Sequence, residues 1–220
     1  MFDSATWLML AGGLRDTLYM TLASTAMAYL LGLPLGLLLI VSDKAGIHPM
    51  PVLNSVLGVV INLLRSVPFL ILLIWVMPVT RAVVGTTIGP SATVVPLVIA
   101  AAPFIARLVE SSIKEVDPGV VEAAQSMGAT NAQIVCKVLL PEAKPSLIVG
   151  SAIAVTTILG YSAMAGIVGG GGLGDIAIRF GYYRYQNDIM MITVVILVLV
   201  VQVLQEVGMR IATSSDRRKN

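Results

Sequence analysis

Between Asp16 and Asp43 run 26 consecutive uncharged residues, Thr17 to Ser42. A helix needs roughly 20 apolar residues to cross the hydrocarbon of a bilayer, so this run is long enough to span one and the chain must fold with lipid as a solvent. Composition agrees: 57% of the 220 residues are hydrophobic and 12% are charged, against about 25% charged in ordinary soluble domains. Mean hydropathy is +0.92. Ala23, Ser24, Ala26, Ala28, Gly32 and Gly36 form small-residue rows on this first span, the kind that lets another helix approach closely.

Four further runs predict an all-α membrane protein of five transmembrane helices in one domain over 1–220, with spans at about 17–42, 54–78, 87–106, 145–168 and 189–211. Trp7, Leu8 and Leu10 predict a short segment lying at the interface, and Asp3 with no basic residue before Arg15 lacks the positive start of a cleaved signal peptide. Arg65 interrupts the second span, about 16 Å along a helix begun near Asn54 at 1.5 Å per residue. It needs an aqueous lining or a polar partner there, or else it snorkels to the headgroups. Pro78 is expected to end that span, with 81–89 as an outside loop. Pro90, Pro96 and Pro103 mark the start and bends of the third span. The tract Gly169-Gly170-Gly171-Gly172-Leu173-Gly174-Asp175 lacks a following Gly-Lys-Ser/Thr, which excludes a P-loop and predicts a flexible, close-packed outside loop. Tyr182, Tyr183 and Tyr185 read as an interfacial aromatic belt or as simple anchoring.

The segment 107–144 is the polar exception. Asp117 is a good N-cap and Pro118 suits the first helical position, where its missing N–H costs nothing. A short helix should run from there to Met127 and close at Gly128, the residue that most cheaply takes a left-handed backbone. Thr130 and Gln133 then have the form of a capping box. The second helix runs through Ile134, Val135 and Val138 and is expected to stop at Pro141. Two helices meeting at a glycine corner make a docking element, or else a capped linker whose only task is to stay soluble.

Glu122-Ala123-Ala124, then Gly128, then Ile134, Leu140 and Pro141, resemble the EAA motif of the membrane subunits of ABC importers. The likeness extends to Arg65-Ser66-Val67-Pro68-Phe69, Ala101-Ala102-Pro103-Phe104-Ile105-Ala106-Arg107, Met127-Gly128-Ala129-Thr130 and Gly160-Tyr161-Ser162-Ala163-Met164. Together these stretches resemble the methionine-import permeases of bacterial ABC transporters, with the type I importer fold. The resemblance implies a cytosolic coupling helix between the third and fourth spans, carried by Glu122, Ala123, Ala124, Met127, Gly128, Ala129 and Thr130. It implies Arg65, Ser162 and Met164 as pathway residues, with Met164 as a gate or an ordinary packing methionine. The partners implied are a second copy, two ATPase subunits and a periplasmic substrate-binding lipoprotein, in the bacterial inner membrane. ATP and Mg are then expected on the ATPase, with no cofactor and no catalytic residue on this chain. The eleven methionines say nothing about substrate, so another amino acid or small molecule stays open.

Basic residues choose the orientation. With the N-terminus outside, Lys44, Arg107, Lys114, Lys137, Lys144, Arg210, Arg217, Arg218 and Lys219 are cytosolic and Arg15, Arg81, Arg179 and Arg184 are not. Nine against four favours that arrangement, with the C-terminus cytosolic and the Arg217-Arg218-Lys219 tail near anionic headgroups. These charges form no basic stripe interleaved with aromatics, which argues against nucleic acid. One histidine, His48, and one cysteine, Cys136, leave no metal cluster and no internal disulfide. An ion-coupled secondary transporter would carry several midplane charges and paired broken helices, whereas only Arg65 lies within a span. An intramembrane enzyme would need a nucleophile with a base, or a metal, and neither is visible.

Overall fold

The computed structural model describes residues 3–215, which are helical with no strand among them. The tail Arg217-Arg218-Lys219 lies outside the described residues. Helix α1 runs from Ser4 to Val41, so the expected interfacial segment is instead the first turns of the first span. No proline or left-handed residue separates the two, and backbone hydrogen bonding continues. Trp7 and Leu8 are exposed and Leu10 is buried.

The expected second span, 54–78, is divided into α2 (Pro51–Ser66), α3 (Phe69–Trp75) and the start of α4 (Met77–Val84). Between α2 and α3 the chain bends by 100°. Pro68 cannot continue the α2 ladder and biases Val67 towards extended backbone. Pro78 does not terminate a helix. It sits in the first turn of α4, where a missing N–H is harmless, and Arg81 is helical until Gly85 closes α4 at φ +83°. Helix α5 (Pro90–Lys114) carries the third span past residue 106.

Helix α6 (Pro118–Ser126) and α7 (Asn131–Ile134) follow. The expected stop at Pro141 does not occur. A π turn over Val135–Leu139 joins α7 to α8 (Leu140–Met164). In that turn the Leu140 N–H reaches back to Val135 O, five residues away. The wider turn moves the carbonyls that a proline ring at 141 would otherwise strike. After α8 come a 3-10 turn at Ala165–Val168, α9 (Gly172–Ile176), a second π turn at Ala177–Tyr182 and α10 (Asn187–Ser215). Among the described residues four helical runs are long and apolar enough to cross a membrane, and α2 with α3 can make a fifth.

The chain divides into two compact units. The first comprises 1–28, 67–101 and 155–205. Leu10, Leu173 and Ile176 form a core cluster there, and Phe69 stacks on Tyr161 with ring centroids 4.6 Å apart. The glycine tract is close-packed, a short non-helical link at 169–171 leading into α9 from Gly172, and Gly166 and Gly174 allow the 3-10 turn and α9 to touch backbone to backbone. The Leu173 N–H, unpaired at the start of α9, donates to Thr17 Oγ1 at 2.9 Å.

The second unit comprises 29–66, 102–154 and 206–220. Leu39, Ile61 and Ala106 are its buried cluster. Gly32 and Gly36 meet α5 so closely that a Cβ on Gly32 would lie 2.8 Å from Ala102 O, and one on Gly36 2.6 Å from Ala106 O. The turn after α1 is tied to α2 by Asn54, whose Nδ2 donates to Leu39 O at 2.7 Å and to Ser42 Oγ at 3.2 Å.

Gly36→Ala should therefore destabilise the protein by about 1–3 kcal/mol through overpacking. Gly12, where an added Cβ would meet nothing within 4 Å, should gain about 1 kcal/mol on conversion to alanine from helix propensity. Thermal unfolding in detergent reads both, and equal shifts of the same sign would refute the packing argument.

Candidate functional site

The polar segment after α5 folds as its capping residues dictate. Asp117 takes extended backbone (φ −60°, ψ 124°) and its Oδ1 accepts the Gly119 N–H at 2.8 Å. At the other end of α6 the Gly128 N–H donates to Gln125 O at 2.9 Å and the Ala129 N–H to Ala124 O at 3.1 Å. This is the Schellman closure, and Gly128 supplies its left-handed residue at φ +78°. The Thr130 N–H donates to Gln133 Oε1 at 2.9 Å, and the Gln133 N–H returns to Thr130 Oγ1 at 3.4 Å. The corner is thus specified by caps and not by burial.

Helix α6 has an inner and an outer side. Ala124 is buried and Val121 is half-buried beside the cavity described below, whereas Glu122, Ala123, Gly128 and Thr130 are exposed and Ala129 is half-buried. Val120, Ala123 and Met127, at helical spacing, make an exposed apolar face ending in Met127 at 81% exposure. Such a face, on a helix held rigid by its caps, is suited to being covered by another protein. On the inner side a cavity of about 400 Å³ separates α6 from the turn after α1. It is lined by Asp43, Ala45, Gly46 and Ile47 on one wall and by Pro118, Val121, Glu122 and Gln125 on the other.

Beside this cavity lies a polar chain that sequence reasoning missed. Arg107 Nη2 donates to Asn62 Oδ1 at 3.0 Å and to Gly58 O at 3.2 Å on α2. Its Nη1 pairs with Glu110 Oε2 at 2.6 Å. Glu110 Oε1 takes Lys114 Nζ at 2.7 Å, and the same Nζ lies 3.4 Å from Asp43 Oδ2. The Glu110 side chain is only 9% exposed, and both its oxygens are engaged, as a buried carboxylate requires. Burial opposes the charge on Asp43, but the Ala45 N–H and the Lys114 ammonium outweigh it and hold the carboxyl below its usual value. The i, i+3 and i, i+4 spacing of Arg107, Glu110 and Lys114 was visible in the sequence. Asn62 and Asp43, far away along the chain, were not.

The three residues assigned to a pathway are divided between the two units. Arg65 is exposed in the last turn of α2, in the second unit. Ser162 and Met164 belong to the first unit. Ser162 is buried and donates its hydroxyl to Leu159 O at 2.7 Å, and Met164 ends α8 at 47% exposure. Tyr182, Tyr183 and Tyr185 are exposed. Cys136 is exposed on the π turn. Among the described residues no three His, Cys, Asp or Glu side chains gather as a metal site.

Residues 32–220 match the family described as binding-protein-dependent transport system inner membrane component. The chain is 50% identical over 215 residues to the probable D-methionine transport system permease protein MetI of Vibrio cholerae, covering 98% of this chain and 92% of that one. It is 43% identical over 181 residues to the methionine import system permease protein MetP of Bacillus subtilis, covering 82% of each. Among solved structures it superposes with a TM-score of 0.96, at 44% identity, on a chain of the MetNI methionine ABC transporter in an inward-facing conformation, covering 99% of this chain and 100% of that one.

A Cβ at Gly128 meets nothing within 4 Å, so substitution there acts through backbone conformation alone. Gly128→Val should cost the closure about 1–2 kcal/mol and Gly128→Asn much less. Amide hydrogen exchange at Gly128 and Ala129 measures this, and protection retained in the valine variant would dispose of the strain argument.

Proposed function

This chain belongs to the family of binding-protein-dependent transport system inner membrane components, and on that premise we propose that it is the permease of an ATP-driven methionine importer. It is an ABC transporter permease subunit with the all-helical type I importer fold. The observation that carries the substrate is the likeness over nearly the whole chain to relatives named for D-methionine or methionine. Another amino acid is the alternative.

In this reading residues 1–220 form one permease domain with 107–144 on the cytosolic side, the N-terminus outside and the C-terminus inside. Two copies pair, and each receives an ATPase subunit on the outer face of α6, while a periplasmic lipoprotein delivers substrate. ATP and Mg are bound and hydrolysed on the ATPase. The exposed Val120, Ala123 and Met127 supply the apolar contact, Glu122 and Thr130 its polar edge, and Ala124 the packing beneath. Gly128 and Ala129 hold the corner.

The same geometry supports a mechanism. Closure of the ATPase pair on ATP draws the two α6 helices together, and the motion passes through the Gly128 corner into α7. No loop intervenes between α7 and α8, so displacement at the corner moves the span itself and alternates which side is open. ATP can shift that equilibrium only by its differential affinity for the two states, so the α6 contact must persist in both while its spacing changes. Arg65, Ser162 and Met164 are assigned to the path, with Met164 as a gate whose flexible thioether fills and vacates a narrow opening.

Proteoliposomes carrying this chain with its ATPase and binding protein should accumulate labelled methionine only with ATP inside. Accumulation driven by an ion gradient without ATP would replace this reading with a secondary transporter. Cys136 offers an independent test of orientation: an impermeant maleimide should label it in inside-out vesicles and not in intact cells. Labelling from outside in intact cells would reverse the topology and remove α6 from the ATPase.

A further inference from the structure

We propose that Glu110, Lys114 and Asp43 form a positioning relay that fixes the docking helix α6 against the turn after α1, and that this relay sets how tightly hydrolysis is coupled to import. The inference rests on the function proposed above, but its geometry stands separately. Lys114 is the last residue of α5 and Asp117 caps α6. Three residues reach at most about 10 Å of chain, so whatever holds the Lys114 ammonium holds the start of α6.

That ammonium is gripped from two sides, by Glu110 on its own helix and by Asp43 on the turn after α1. The start of that turn is itself tied to α2, where the Asn54 amide donates to Leu39 O and Ser42 Oγ. Between the turn and α6 lies the cavity described above, lined from both sides. Open space rather than close packing lies between those two walls, and the Lys114–Asp43 pair ties the turn to the end of α5, three residues before the Asp117 cap.

Energetics point the same way. The Lys114–Asp43 pair is 49% and 31% exposed, and such pairs add little to stability. Glu110 is an ion held in a nearly closed site, where an apolar side chain of similar volume would often be at least as stable. An arrangement costly at one end and weakly stabilising at the other fits a role in position rather than in holding the fold together. Arg107 completes the relay by anchoring Glu110 to α2 through Asn62 and Gly58.

The test uses the full transporter assembly in proteoliposomes. Spin labels at His48 and Ser126, in a Cys136→Ser background, should give one narrow distance in the otherwise native chain. Asp43→Ala and Lys114→Met should broaden it, while Asp43→Glu and Lys114→Arg keep it narrow. The double variant Asp43→Ala/Lys114→Met should be no broader than Lys114→Met alone, since that single already removes the Asp43 contact. In the same membranes Asp43→Ala should raise ATP hydrolysed per methionine imported by about fivefold or more, with ATPase co-purification and folded yield unchanged. A purely structural role would lower yield or co-purification instead, and that result overturns the proposal. So does an unchanged distance distribution in Asp43→Ala, or an unchanged coupling ratio. If the native assembly imports no methionine, the functional reading fails while the label distances still decide the relay.

Discussion

The governing constraint on this chain is that lipid offers its backbone no hydrogen bonds. Each interruption of a helix must therefore be repaired within the protein. At Pro68 the repair is a break, with α3 starting afresh and the Leu72 N–H donating to Pro68 O at 3.0 Å. At Pro141 it is a π turn that keeps the helix continuous from Asn131 into α8. At the glycine tract it is a pair of threonines. Thr17 accepts the first-turn N–H of α9, and Thr93 donates to Gly170 O at 3.2 Å.

In the proposed mechanism those repairs decide what the protein can transmit. A stop at Pro141 would have left a loop between the docking element and its span, absorbing any displacement. Continuity makes the corner at Gly128 the last joint before α8, and that joint is itself locked by the Schellman closure on one side and the Thr130–Gln133 box on the other. In the proposed relay the ionic chain from Asn62 to Asp43 serves the same end on the α5 side. In the proposed mechanism α6, its span and the turn after α1 are then connected by short links that can pass a displacement on.

Much of this was legible in the residues. Asp117, Pro118, Gly128, Thr130 and Gln133 act over two to five residues, so their capping roles follow from spacing and proved correct in the structure. The rows around Gly32 and Gly36 announced a close helix contact, and α5 makes it. Prolines were read less well. Pro78 starts α4, Pro141 is tolerated inside a helical run, and only Pro68 breaks a span. A proline removes one donor and fixes one dihedral, and whether the chain bends, widens or begins again depends on what packs beside it.

The sequence by itself determined that the chain lives in a membrane as helices, where its polar elbow lies and how that elbow is capped, because these depend on solvent transfer and on hydrogen bonds between near neighbours. Only the tertiary structure decided which distant groups meet. The partners of Arg107 on α2, the Asp43 contact of Lys114 and the backbone crossing at Gly166 and Gly174 join residues far apart in the chain, or helices that must first fold back on one another. Local propensity carries no information about such pairings, since they are fixed by the packing of whole helices and not by the residues on either side.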